Sequence, residues 1–369
     1  MRSDSRVFWG IFGRHLPLWP PTCFMDACRT WHERTNVFTL AMSVSIARDR
    51  QPGQPLDDDQ PGASTARERA IVLASAFGHA RVILRALTSA LSNQDMLIVV
   101  TDARGFPLAL RATQRPSDLP VAIVVGRHPR CSLSVRSDDH VSLRHLLLTF
   151  WPGAGPTRIR GYDLGARAGI VLADGRRVPG FSAQGHVGLA VGNSMLFVLP
   201  GGQLAADLLD GSEEQAKERV VGLRKGIQLG VAPIAEPEIA QLVGYRGVDP
   251  SVIPDPAGAL QLVAPHATRA QAMTKELEID RKQLQQGLLI GRYSDRCSLA
   301  VDGRNLSRVH ALVTEESRTS LLVYDLASTN GVRPYGSDGS THAVVRLTPR
   351  EPVMLGHFEL RWNPPSVTS

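Results

Sequence analysis

Between Ser64 and about Asn93, the apolar residues Leu73, Phe77, Ala80, Leu84, Leu87 and Leu91 recur at alternating steps of four and three. That is the period of one helix face. Thr65 and Glu68 stand at capping-box spacing ahead of it, and Gly78 weakens it slightly. Such a face either docks on a neighbouring domain or forms a dimer seam. About four turns is short for a free coiled coil, which favours docking. The pattern then shortens. Met96 to Val100 and Pro107 to Leu110 are apolar runs flanking Asp102-Ala103-Arg104-Gly105, a hairpin pattern. From Val121 onward, brief apolar runs of β type end in small polar clusters.

Those clusters occur twice. Gly126-Arg127 precedes Ser142-x-x-His145 by 16 residues, and Gly291-Arg292 precedes Ser307-x-x-His310 by the same 16. A third cluster follows each, Asp163-Leu164-Gly165-Ala166-Arg167-Ala168-Gly169 in the first copy and Asp325-Leu326-Ala327-Ser328-Thr329-Asn330-Gly331 in the second. Serine to aspartate spans 21 residues in one and 18 in the other, and the excess falls at Trp151 to Pro156, where insertion costs little. Each copy closes on a strand after a glycine, Gly192 and Gly356. The reading is an internal repeat of one β-domain.

The expected organisation is a disordered or over-extended N-terminal segment (1–63, with Met42 a more ordinary start) and an amphipathic helix (64–93). A first, degenerate β-domain (96–200) follows, then a semi-rigid, proline-spaced linker with one short charged helix (201–257) and a second β-domain (258–365). The fold class is mainly β: two β-sandwich domains, an N-terminal helix and a linker containing a short helix.

Composition changes this picture little. Hydrophobic residues at 43% and charged residues at 21% are ordinary for a globular chain. The net charge of +6 permits a nucleic-acid or anionic-membrane partner. With aromatics at 5%, no zinc-finger spacing and no long basic run, neither partner is expected. No apolar run is judged to approach a membrane-spanning length. Cys131 and Cys297 share the word R-C-S-L and are expected as buried strand thiols, while Cys23 and Cys28 lack a second pair for zinc. No metal or cofactor is expected, and a reduced, cytoplasmic setting is. No P-loop, zinc-protease, nucleophile-elbow or kinase motif is present, so no catalytic residue is assigned and a non-enzyme is expected.

The order and spacing of G-R, S-x-x-H and S-T-N-G resemble the forkhead-associated (FHA) domain, a β-sandwich that binds phosphothreonine peptides, here as a tandem of bacterial type. By that resemblance Arg292, Ser307, Thr329 and Asn330 are the direct readers and Arg308 an auxiliary cation. Gly291 and Gly331 serve backbone geometry. A histidine in an apolar run is more often a core residue than a ligand, and the resemblance gives His310 the task of holding the loops together. Asn305 occupies a place where the family often selects the peptide's downstream residue.

The first copy keeps Arg127, Ser142, Arg144 and His145 but has Ala166-Arg167-Ala168 in place of Ser328-Thr329-Asn330. Arg127, Ser142, Arg144 and Arg167 are therefore a degenerate site, expected to bind phosphothreonine weakly or not at all. The function implied is a phosphothreonine-peptide adaptor in a Ser/Thr-kinase pathway. It would act mainly through the second domain, with a phosphorylated protein, a kinase or its substrate, as partner; a homodimer through the helix seam stays open. The alternative is a structural assembly protein using these domains without phosphate.

Overall fold

In the computed structural model, residues 63–114, 118–151, 156–173, 175–221, 255–264 and 274–365 are described. The expectations for residues 1–62, for Cys23 and Cys28, and for the proline-spaced stretch 222–254 lie outside them.

Helix α1 (Ala63–Ser89) carries the predicted face. Leu73, Phe77, Ala80 and Leu84 are buried against Leu97, Val99, Phe197 and Leu199 of the following sheet, and the rings of Phe77 and Phe197 lie 5.7 Å apart. The seam residues are thus used within the chain. The helix stops at Ser89 rather than near Asn93. There Ser92 bonds the Asp95 carboxylate through its N–H (2.9 Å) and its hydroxyl (2.7 Å), turning the backbone into a strand. Against expectation, Ile71–Ser89 is long and apolar enough to cross a membrane by length and composition.

Two sandwiches of matching topology follow. The outer sheet of the first runs Pro107–Gln114, Asp95–Thr101, Ser194–Pro200, Val187–Val191, Ile170–Leu172, with Arg177–Val178 at its end. Its facing sheet runs Leu133–Ser134, Val121–Gly126, Leu146–Trp151, Arg158–Asp163, Gly180–Gln184. The second sandwich repeats both orders. Its outer sheet is Thr274–Asp280, Pro256–Val263, Phe358–Asn363, Val353–Leu355, Val332–Pro334. Its facing sheet is Leu299–Ala300, Leu288–Gly291, Ala311–Ser317, Ser320–Asp325, Val344–Leu347. Even the short parallel pairing recurs, Val125 with Leu133 and Ile290 with Leu299. The chain is mainly β, with two sandwiches in tandem.

The facing sheets pack on each other. Leu146 and Leu148 point into the first sandwich's own core, whereas Leu147 joins Leu312, Tyr162, Tyr324, Leu164 and Leu326 in a separate cluster drawn from both sandwiches. Side chains alternate across a strand, so a continuous apolar run such as Leu146-Leu147-Leu148 must be covered on both sides. Equivalent residues meet from the two copies, as in an isologous dimer interface. Cys131 and Cys297 belong to this cluster as free, buried thiols whose burial pushes their pKa up to about 11. They sit in the turns before Leu133 and Leu299 rather than in strands. Each donates to the matching carbonyl, Leu143 or Arg308, at 3.3 Å.

The segment expected as a linker with one short helix holds two helices where it is described, α2 (Gly202–Leu209) and α3 (Glu213–Val220). Leu209, Ala216 and Val220 cover the first outer sheet beside α1. A full capping box at Ser212 and Gln215 starts α3. A further short helix, α4 (Arg281–Gln286), leads into Leu288 from a second capping box at Asp280 and Gln283.

Candidate binding site

At the end of Leu288–Gly291 the chain passes so close to the next loop that a Cβ on Gly291 would run into the carbonyl oxygen of Arg308. That approach zips the two loops together, with Arg292 N–H donating to Ser307 O and Tyr293 N–H to Arg308 O, both at 3.1 Å. His310, fully buried, ties in the third loop. Its Nδ1 accepts the Ser307 N–H at 3.2 Å and its Nε2 bonds Gly331 O at 3.0 Å. An acceptor at Nδ1 places the ring proton on Nε2, so the clamp requires neutral imidazole. Burial, the largest influence, holds the His310 pKa below 6.5 and favours that form.

The third loop is strained and stitched. Ala327 sits at φ 54°, the left-handed region, and is alone in this among non-glycine described residues. Its counterpart in the first copy is Gly165, at φ 73°. Ser328 N–H donates to Asp325 Oδ1 at 3.3 Å, and Ser328 Oγ accepts from Gly331 N–H at 2.9 Å. Beyond it, Thr329 N–H donates to Ser307 Oγ at 3.0 Å, and Asn330 Nδ2 to Asn305 O at 2.8 Å.

These loops enclose an open cavity of about 220 Å³. Arg292, Ser307, Arg308, Thr329 and Asn330 all line it, so the structure brings the five expected readers together. Gly291, His310 and Gly331 lie behind it as backbone and support. The exposed guanidiniums of Arg292 and Arg308 and the Thr329 hydroxyl have no hydrogen-bond partner among the described residues. Among the described residues, the lining holds four arginines and no carboxylate.

The first copy has the same scaffold with a different outcome. Ser142 N–H donates to His145 Nδ1 at 3.1 Å, His145 Nε2 bonds Gly169 O at 2.9 Å, and Ser142 Oγ accepts from Arg167 N–H at 3.4 Å. Arg127, however, forms an ion pair with Asp139 at 2.9 Å. Asp139 stands three residues before Ser142, and the residue three before Ser307 is Arg304. The first copy thus neutralises its own arginine with a carboxylate where the second adds another cation. Arg144 does not join Arg127 either. It reaches into the second sandwich, donating through Nε to Leu326 O and through Nη2 to Ala327 O at 2.8 Å. The four residues read as a degenerate site, Arg127, Ser142, Arg144 and Arg167, therefore do not converge as a set.

Arg130 follows the same route, with Nη1 3.2 Å from Ser328 O and 3.1 Å from Thr329 O. His128 and Arg144 of the first copy line the second copy's cavity. Sequence reasoning did not find His128, Arg130 and Arg304. The Arg304 contribution becomes visible only once the copies are aligned and compared charge by charge, because Asp139 stands opposite it. Arg130 matches an arginine, Arg296, in the shared word R-C-S-L, and nothing in the sequence marks it or His128.

The FHA domain model matches residues 288–360. Among solved structures, the chain is similar to the FHA domain of CT664 protein from Chlamydia trachomatis, at 21% identity and TM-score 0.22, over 28% of this chain and 94% of that one. It is similar to the FhaA FHA domain complexed with the intracellular domain of Rv3910, at 23% identity and TM-score 0.22, over 28% and 98%. A third is Mycobacterium tuberculosis Rv1747 FHA-1, at 26% identity and TM-score 0.22, over 29% and 97%. No curated protein sequence matches the chain.

Proposed function

Residues 288–360 being an FHA domain, we propose that the chain is a phosphothreonine-peptide-binding adaptor that reads its ligand in the cavity at Arg292. The observation that carries this is the Arg292 guanidinium, which has no partner among the described residues and lines, beside Ser307 and Thr329, a cavity to which those residues bring no carboxylate. A phosphothreonine brings close to two negative charges and three acceptor oxygens, and a guanidinium fork meets that group with directional donors. Ser307 Oγ already accepts the Thr329 N–H, so its own proton is available to a phosphate oxygen. The Thr329 hydroxyl supplies another donor and Arg308 a second cation. Asn330 fixes the peptide backbone from a side chain steadied by Asn305.

In this reading the second sandwich is the reader and the first is not, since Asp139 occupies Arg127. The partner is a phosphothreonine-bearing protein of a Ser/Thr-kinase pathway, the kinase or its substrate, in the cytoplasm. Phosphate-independent assembly remains a second reading for the first sandwich, favoured by Arg130 and Arg144 being engaged with the neighbouring sandwich. The test is a pull-down by the full chain and its Arg292→Ala variant from matched phosphothreonine, phosphoserine and unphosphorylated peptide libraries. Selective retention of the phosphothreonine set, lost in the variant, is expected; equal retention of all three sets overturns the proposal.

A further inference from the structure

The cavity is not built by one sandwich. His128 and Arg144 reach it from the first, opposite Arg292, Arg304 and Arg308 of the second. Arg144 uses two of its five N–H donors on Leu326 O and Ala327 O. Its remaining donors have no acceptor among the described residues. His128 Nδ1 accepts the Arg130 N–H at 3.2 Å, which leaves Nε2–H as a donor on the first sandwich's wall.

We infer that the reading cavity holds a second anion subsite, formed by His128 and Arg144 of the first sandwich. The preferred ligand is then a peptide with another acidic group, a carboxylate or a second phosphate, beside its phosphothreonine. This deepens the phosphothreonine reading and rests on it. One phosphate brings close to two negative charges, against four arginines in the lining. Like charges gathered around one cavity repel each other, and each anion bound relieves part of that repulsion. The field is felt locally: the His128 pKa is lowered by burial and then by Arg144, Arg130 and Arg308. The first copy's own motif shows the contrast, because there Asp139 supplies the neutralising carboxylate from within the chain.

The test uses the full chain and fluorescence anisotropy at low salt with one peptide series. Its members carry phosphothreonine with neutral flanks, phosphothreonine with aspartate or phosphoserine at successive flanking positions, phosphothreonine with lysine there, and the aspartate peptide without phosphate. At one flanking position a second anion is expected to tighten binding about tenfold, phosphoserine at least as much as aspartate. His128→Glu puts a carboxylate on the first sandwich's wall and leaves the Arg144 bonds in place. In that variant the gain is expected to collapse to about twofold or less, and the lysine peptide is expected to overtake the aspartate one. No gain from any second anion, with phosphothreonine still bound, overturns this inference alone. A gain that survives His128→Glu also overturns it. Failure of every phosphorylated peptide to bind overturns both this inference and the phosphothreonine reading.

Discussion

Arg144 Nη2 donates to the carbonyl oxygen of Ala327 at 2.8 Å, so a side chain of the first sandwich holds the backbone of the second where it enters its polar loop. Ala327 occupies the left-handed region at φ 54°, which costs an alanine about 1 kcal/mol or more. Replacing Arg144 by methionine keeps the stem and removes the donors, leaving the half-buried carbonyls of Leu326 and Ala327 without them. Arg144→Met is expected to lower unfolding stability by about 1–3 kcal/mol in urea titrations and to weaken phosphopeptide binding in parallel. Unchanged stability would show that the carbonyls find water at no cost.

Arg304 stands where the first copy has Asp139. Arg304→Asp is expected to pair with Arg292 as Asp139 pairs with Arg127 at 2.9 Å, and to reduce phosphothreonine-peptide affinity by about tenfold or more. Arg304 is exposed, so thermal stability is expected to shift by less than about 0.5 kcal/mol. Titration calorimetry and a melting curve on the same variant separate the two effects.

Much of this arrangement is legible in the sequence, and the reason is periodicity. The equal intervals from Gly126 to Ser142 and from Gly291 to Ser307 recur because the same loop must close over the same two strands, and the identical strand orders follow. Leu146-Leu147-Leu148 is the run of a strand covered on both faces, yet an apolar run carries no address for what covers it. The stacking of the two facing sheets is therefore not legible there, nor is the passage of Arg144 and Arg130 between sandwiches. Of the two eight-residue helices, the charged α3 is the one expected, while α2 is too short for a periodic signal and holds by packing on the sheet instead.

His310 gives the site a pH dependence. Its folded pKa lies below the ordinary 6.5, chiefly through burial, so the clamp's contribution is present in full above about pH 6.5. It is lost as pH falls through the lower folded value. The urea midpoint of the full chain is expected to be flat between about pH 7 and 8 and to decline below about pH 6. His310→Gln is expected to reduce stability by about 1–3 kcal/mol at neutral pH and to weaken the acid limb; an unchanged acid limb would assign it to other groups.

Asp163 has the opposite sign. Burial raises its carboxyl from 3.8 to about 6, against the lowering effects of the Ala166 N–H, Arg177 and Arg296. The stability tied to its protonated form is full below about pH 3.8 and is lost as pH rises through about 6. Asparagine can still accept the Ala166 N–H, which lies 2.7 Å from Asp163 Oδ1. Asp163→Asn is expected to stabilise the chain by about 1–2 kcal/mol near pH 7.5 and to match the parent near pH 4. A variant less stable than the parent at both values would show that the charge is needed where it stands.

The isologous packing of Leu147, Tyr162 and Leu164 on Leu312, Tyr324 and Leu326 has the geometry of a dimer whose halves share one covalent chain. Two separate subunits with this interface would part on dilution, and a site walled by both would dissolve with them. Tethered halves meet at an effective concentration set by the connecting chain, whatever the amount of protein in solution. The cavity that His128 and Arg144 help to wall is therefore as complete in a single scarce molecule as in a concentrated one.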